Sequence, residues 1–176
     1  MMRALVVYES IYGNTQAVAK AVVGGLSTAM DVELIEVGAA PAIVGDVVDL
    51  LVVGGPTHAH GMSKPESRAS AAGKAGDRLV SRGVGIREWL ESVRVGSRPI
   101  AAAAFDTRIK GPELLWGSAA KAAEKELRRL GLRVVVPAGS FLIGGPTGPV
   151  FDRVLDGELE RARSWGSALA AKVAAG

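Results

Sequence analysis

Apolar residues recur along this chain with two alternating periods. Ala4 to Tyr8 is a short unbroken apolar run rich in β-branched residues, the pattern of a strand buried on both faces. From Asn14 to Met30 the period changes, and Ala17, Val18, Ala21, Val22, Gly25 and Leu26 fall on one face of a helix. Val32 to Val37 alternates as a more exposed strand, and Asp49 to Gly54 contains a buried one, Leu-Leu-Val-Val. Gly55 to Gly61 reads as a loop. Residues 62–85, rich in Ser, Gly, Ala and Lys/Arg, read as a mobile loop or weak helix. Ile86 to Val93 predicts a short amphipathic helix carrying Trp89, and Pro99 to Phe105 a fourth strand. Ser118 to Leu130 predicts a helix capped by Ser118 and stopped by Gly131. Val134 to Pro137 is a fifth strand that Ser140 to Ile143 continues, and Asp156 to Val173 is the final helix. There is no repeat and no interdomain linker, so residues 1–176 are expected to form a single domain.

Strands and helices in alternation, with apolar strands, imply an α/β fold: a parallel sheet covered by helices on both faces. Ligands of such sheets bind outside the carboxyl ends of the strands. Three polar, glycine-containing loops are therefore expected to converge, namely 10–15, 55–61 and 105–111.

The first of these carries the sharpest chemistry. Ser10-Ile11-Tyr12-Gly13-Asn14-Thr15 lies between a buried strand and a helix. Unpaired backbone N–H groups and the helix dipole make such a turn an anion site. Ser10, Asn14 and Thr15 add side-chain donors, and Gly13 lets the backbone approach a ligand closely. The loop has neither the G-x-G-x-x-G nor the G-x-x-x-x-G-K-[ST] spacing and no Lys or Arg, so it suits a phosphate monoester that is bound and not transferred. Ser, Asn and Thr are also ordinary helix caps, and the loop alone does not separate the two readings.

The second loop, Gly54-Gly55-Pro56-Thr57-His58-Ala59-His60-Gly61, holds both histidines of the chain. Two histidines two residues apart, with no further ligand nearby, argue against zinc. The loop reads instead as a wall for a flat ligand. The third loop begins Phe105-Asp106-Thr107-Arg108; Phe105 is either a stacking partner for an aromatic ring or the last core residue of its strand. Trp89, Trp116 and Trp165 are expected to pack helices on the sheet, with Trp116 the one near enough to the loops to reach a ligand.

Composition narrows the setting. Cysteine is absent, which removes disulfides, thiol chemistry and Cys-ligated metals. No apolar stretch is long enough to span a bilayer and Arg3 is followed at once by a strand, so a cytoplasmic protein is expected. Net charge is +3, and Lys64 to Arg98 contains eight basic residues against four acidic ones. Aromatic residues are not interleaved with these charges, which argues for a solvated, flexible insertion and against nucleic-acid binding.

With these loops in hand, the chain resembles the flavodoxin-like family. Ser10 to Thr15 is similar to that family's phosphate loop, Gly54-Gly55-Pro56-Thr57 to its second flavin loop, and Ser164-Trp165-Gly166 to its closing helix. The resemblance implies a three-layer α/β/α sandwich with five parallel strands in order 2-1-3-4-5, and a non-covalent FMN. Ser10, Ile11, Tyr12, Gly13, Asn14 and Thr15 would hold the phosphate. Pro56, Thr57, His58, Ala59, His60 and Gly61 would flank the ring on one side, and Phe105, Asp106, Thr107 and Arg108 on the other. A backbone carbonyl between Ala59 and Gly61 would accept a hydrogen bond from flavin N5. Asp106 would be the one clear carboxylate near the ring, with Arg108, His58 and His60 as positive or polar neighbours. The function implied is an electron carrier between redox partner proteins, a reductase and an acceptor, with no catalytic residue of its own. The alternative is an NAD(P)H:quinone oxidoreductase or FMN reductase whose 62–85 segment caps a substrate site.

Overall fold

The computed structural model describes residues 1–58, 60–112, 117–144 and 153–176. Strand β1 (Arg3–Tyr8) lies between β2 (Asp31–Glu36) and β4 (Leu50–His58), and all three run parallel. Next to β4 comes β7 (Ala101–Ile109), also parallel. The last lane is split. β8 (Arg133–Val134) pairs with the base of β7, and β9 (Gly139–Ile143) pairs with its upper half from Phe105 to Ile109. Pro137, which has no N–H to give a ladder, stands in the gap. Counted by lane, the order is the expected 2-1-3-4-5. The remaining strands are short: β3 (Ile43–Val44) pairs with β6 (Arg94–Val95) outside the main sheet, and β5 (Gly61–Met62) folds back on β4.

Alternation along the central strands sends neighbours to opposite faces. Val7, Leu51 and Val53 join one core, covered by α3 (Ile86–Ser92) and α4 (Ala119–Arg129). Val6, Leu50 and Val52 join the other, covered by α1 (Asn14–Leu26) and α5 (Glu158–Ala174). Ser118 caps α4 by accepting from Lys121 N at 3.2 Å, and Gly131 follows the helix at φ +80°.

Four expectations are corrected. Helix α1 stops at Leu26 and not at Met30, because the Thr28 hydroxyl takes the Gly25 carbonyl and the chain turns toward β2. The second loop is mostly strand: β4 runs to His58, with Gly55 and Pro56 still paired to β7, and Gly61–Met62 pairs back antiparallel as β5. The third loop is strand as far as Ile109, since β9 extends its ladder. The 62–85 segment is neither a loose insertion nor merely weakly helical. Pro65–Ala75 forms helix α2, and the residues after it are tied to the first loop by Val80 N to Ile11 O (3.1 Å) and Ser81 N to Ser10 O (2.7 Å).

Helices α1 and α5 cross with their backbones almost in contact. A Cβ on Gly25 would sit 2.1 Å from Arg163 O, and one on Gly166 would sit 2.3 Å from Val22 O. Gly166→Ala should therefore force the helices apart and cost about 1–3 kcal/mol. Gly73→Ala, on α2 with nothing near its Cβ, should gain about 0.5–1 kcal/mol from helix propensity. Urea unfolding of the two variants tests the contrast; equal effects would mean that the crossing is not tight.

Candidate functional site

The carboxyl edge of the sheet is organised by two buried carboxylates. Glu9, 1% exposed, follows β1 directly. Its Oε1 accepts from Ser63 Oγ at 2.5 Å and its Oε2 from Ile86 N at 2.9 Å. Ser63 in turn accepts from Arg68 Nη1 at 2.9 Å, and Arg68 pairs with Glu88 at 2.9 Å. One side chain thus joins the end of β1, the approach to α2 and the start of α3. Burial pushes the Glu9 carboxyl above its ordinary value, against the opposing pull of the Ser63 and Ile86 hydrogen bonds and of Arg68. Nothing in its sequence context marks Glu9 out; only the fold brings Ser63 and Ile86 to it.

Asp106 is the second. It is fully buried, and its Oδ2 accepts from Ser118 Oγ (2.7 Å), Ala120 N (2.9 Å) and Thr57 Oγ1 (3.1 Å). Thr57 Oγ1 also accepts from Ala119 N at 2.9 Å. Asp106 and Thr57 therefore hold the first turn of α4. The expectation that Asp106 is a carboxylate facing a ligand is corrected: it is buried and outside the cleft lining, with Oδ2 committed to the helix start and Oδ1 without a partner among the described residues.

Ser10 and Thr15 are buried, and their hydroxyls are engaged within the protein. Ser10 Oγ accepts from Gly13 N at 3.1 Å, and Thr15 Oγ1 is hydrogen-bonded to Thr107 Oγ1 at 2.7 Å, either hydroxyl being able to donate. Ile11 is core, and Asn14 is buried at the first position of α1. The N-cap itself is Gly13, at φ +91°, and no acidic residue occupies the first turn. The simple capping reading, with a side chain of Ser, Asn or Thr at the cap position, is thus not the one adopted. An added Cβ on Gly13 would meet nothing within 4 Å, so the glycine is required by its left-handed backbone and not by crowding within the protein.

In front of this turn lies a cleft of about 520 Å³. All three sequence-predicted regions reach it: Tyr12 from the first, Pro56, Thr57 and His58 from the second, Thr107 and Arg108 from the third. A fourth wall is α2, through Ser67, Ser70, Ala71 and Lys74, followed by Arg78. Serine- and lysine-rich composition hid this wall from the sequence, since it reads as solvated surface. Tyr12 donates its hydroxyl to Ala71 O at 3.3 Å, with the Arg78 guanidinium 5.9 Å from its ring centroid. His58 Nδ1 lies 3.2 Å from Ser67 Oγ, and burial, reinforced by Arg68, pushes the imidazole below its ordinary value. Arg108 donates to Gly111 O at 3.0 Å, while its buried Nε has no partner among the described residues.

Of the expected residues, Ser10, Ile11, Gly13, Asn14, Thr15 and Asp106, described above, are not part of the cleft lining, and neither are Phe105, His60 and Gly61. Phe105, 1% exposed, packs edge-on against Phe141 and Trp165 and lies over Gly54, so it takes the core role. His60 is exposed in the turn between β4 and β5, at φ +79°, a left-handed backbone that two-residue hairpins favour. Gly61 pairs with His58. Ala59 and Trp116 fall outside the described residues.

No protein-family model matches this chain, and no curated protein does. Solved structures do. A flavodoxin from the domain Archaea aligns over 98% of this chain and 99% of its own, with TM-score 0.62 and 22% identity. A flavodoxin of Streptococcus pneumoniae aligns over 97% and 99%, with TM-score 0.63 and 16% identity. A WrbA-like flavodoxin from Agrobacterium tumefaciens aligns over 99% of each chain, with TM-score 0.55 and 18% identity. The fold is flavodoxin-like across the whole chain.

Glu9 gives this edge a signature in pH. Its native pKa is raised from 4.5, so the folded state binds the proton more tightly than the unfolded chain. The stability this group contributes is complete below about pH 4.5 and is lost as pH rises through the native value. Glu9→Gln keeps the shape but replaces one acceptor by a donor, and should cost about 1–3 kcal/mol. It should also abolish this part of the pH dependence, so that the gap between wild type and variant narrows from pH 4.5 upward. Urea unfolding of both proteins from pH 4.5 to 8 checks the sign; a widening gap would contradict it.

Proposed function

We propose that this protein is a single flavodoxin-like domain, spanning residues 1–176, that binds FMN non-covalently in the cleft and passes electrons between redox partner proteins in the cytoplasm. The observation that carries the reading is the contrast among helix starts. Helices α3 and α4 receive buried carboxylates at their first turns, whereas α1 begins at Gly13 with no acidic residue in its first turn and with nothing within 4 Å of the Cβ position of that glycine. A phosphate fits that position, where N–H groups and the helix dipole favour an anion. Tyr12, Thr57, His58 and Thr107 offer a flat-sided, partly apolar cleft beside it. No carboxylate is among the described residues of its lining.

When bound, FMN supplies the one- and two-electron chemistry, and the protein supplies position and electrostatics. Gly13, Asn14 and Thr15 would orient the phosphate at the head of α1. His58, neutral because burial and Arg68 disfavour its charge, would meet the ring as a polar wall. Arg108 would bring positive charge at the cleft wall, its Nε without a partner among the described residues. Among the described residues no helix is long and apolar enough to cross a membrane.

A second reading has its own observation. Helix α2 closes one side of the cleft, as it would over a substrate of an NAD(P)H:quinone oxidoreductase or FMN reductase. Steady-state oxidation of NADPH with a quinone separates the two, since a carrier shows no turnover without a partner protein.

The absorption spectrum of freshly purified protein, followed by titration with FMN and riboflavin, tests the cofactor. FMN should bind more tightly by about tenfold or more, the value of one or more hydrogen bonds to a charged phosphate. Equal affinity for riboflavin would overturn the phosphate assignment. Gly13→Val should weaken FMN binding while leaving riboflavin binding little changed, because a β-branched residue resists φ +91°. Unchanged FMN affinity in that variant would remove the turn from the site.

A further inference from the structure

Among the described residues that line the cleft, His58 is the one side chain of a type that changes charge near neutral pH. Its ring is half-buried and held on one side, with Nδ1 3.2 Å from Ser67 Oγ. Ser67 Oγ accepts from Lys64 N at 2.9 Å and donates its single proton to Lys64 O at 3.0 Å. The lone pair that remains on Oγ accepts from Nδ1–H, so this network puts the proton of the neutral ring on Nδ1. Nε2 is then the atom that can take a second proton, and it has no hydrogen-bond partner among the described residues.

Charged groups surround the imidazole from each element packed near it. Helix α2 brings Arg68 and Lys74, with Lys64 at its N-cap and Glu66 in its first turn, and Arg78 follows it, engaged with the Tyr12 ring. Strand β7 brings Arg108. Helix α3 brings Arg87, which donates to the carbonyls of Met62 and Ser63, and Glu88, which pairs with Arg68. Glu9 lies beyond Ser63, and His60 is exposed in the turn that follows His58. Burial first, and then Arg68, holds the imidazole neutral while the cleft carries no negative charge. A negative charge arriving in the cleft reverses that balance, because an opposite charge within about 4–6 Å favours the protonated imidazole.

From this geometry we infer that His58 takes up a proton at Nε2 when the cofactor in the cleft is reduced, and so couples electron uptake to pH. The inference rests on the reading that FMN occupies the cleft. In the balanced step the donor loses two electrons, which go to FMN with one proton from water and leave the ring with one negative charge. A second proton from water goes to His58 Nε2, so ring and imidazole together stay neutral. The coupling is reciprocal: the proton affinity that His58 gains on reduction is matched by the ease of reduction that its protonation confers.

Proton NMR of the imidazole Cε1–H lines, followed from pH 5 to 9 in the FMN-loaded full chain, tests this. The chain has two histidines, so two lines are read. The titration is run once oxidised and once fully reduced by dithionite, which gives up two electrons as it is oxidised to sulfite. His58→Gln assigns the His58 line by its loss. His60→Asn assigns the other line independently, since Asn accepts the left-handed backbone of that turn. The proton affinity of His58 should rise at least tenfold on reduction, and that of His60, outside the cleft lining, less than threefold. Between the two His58 midpoints, the two-electron potential of the wild type should fall with pH about twice as steeply as that of His58→Gln, because two protons and not one accompany the electrons. Circular dichroism confirms that each variant is folded.

An identical His58 midpoint in the two redox states would overturn the inference. So would a His60 change as large as that of His58, or equal slopes in wild type and His58→Gln, which would put the second proton on the ring. If the purified protein binds no FMN, the functional reading fails and the inference falls with it. FMN bound beside an unmoved His58 sinks the inference alone.

Discussion

Two carboxylates buried toward the carboxyl ends of β1 and β7, the two lanes that flank β4, hold this structure's working edge in place. A parallel sheet ends there with helix starts whose first N–H groups have no partner in their own helix. Glu9 accepts from the first residue of α3, and Asp106 from the first turn of α4. Hydrogen bonds to charged groups are worth about 1.5–3 kcal/mol each, and removing one partner leaves the other buried without compensation. Neither carboxylate stands alone: Ser63 and Arg68 surround Glu9, and Thr57 and Ser118 surround Asp106. Both helices are thereby placed relative to the ends of β1, β4 and β7, the same ends that form the cleft.

This clamping explains why the 62–86 segment is folded and not loose. Its composition, polar and poor in apolar anchors, gives it little hydrophobic reason to order. It is ordered by polar contacts at its two ends, at Ser63 to Glu9 and at Ser81 to Ser10, with Ser81 Oγ also donating to Glu36 at 2.6 Å. Between those anchors α2 lies along the cleft, so serine and lysine side chains line it. The basicity of the segment is then of two kinds. Arg68 and Arg87 are structural, the first paired with Glu88 and the second donating to the carbonyls of Met62 and Ser63. Lys74 and Arg78 face the cleft.

What was legible in the sequence follows from which forces act locally. The strand lanes and the helices α1, α3, α4 and α5 are set by apolar periodicity, which is local, so their existence and the α/β class were readable, while the lane order came from the family resemblance. The convergence of three regions on one cleft was readable too, because it follows from the alternation of strand and helix. Phe105 was ambiguous for a physical reason: a residue at the end of a buried strand can face either core or ligand, and the choice depends on Gly54 leaving room beneath its ring. Asp106 looked like a ligand-facing charge because nothing adjacent in sequence offers it donors; its partners come from β4 and α4, 49 and 12 residues away. Helix α2 was underrated for the same reason, since its anchoring is long-range and polar.

The same logic distinguishes α1 from its neighbours. Where the fold needs a helix start held rigidly, it supplies an internal anion. At α1 it supplies a glycine in the left-handed region and side-chain hydroxyls already turned inward, toward Gly13 N and Thr107. Inward-turned hydroxyls fix the loop without occupying the space before it, and that space stays clear of any neighbouring atom that a Cβ on Gly13 would touch. A turn built this way is preorganised, since its geometry is established by contacts within the protein and little ordering remains to be done when an anion arrives. The helix start that lacks an internal carboxylate is also the one beside the cleft. Its electrostatic requirement and the positive lining of that cleft point in the same direction, toward an anionic occupant.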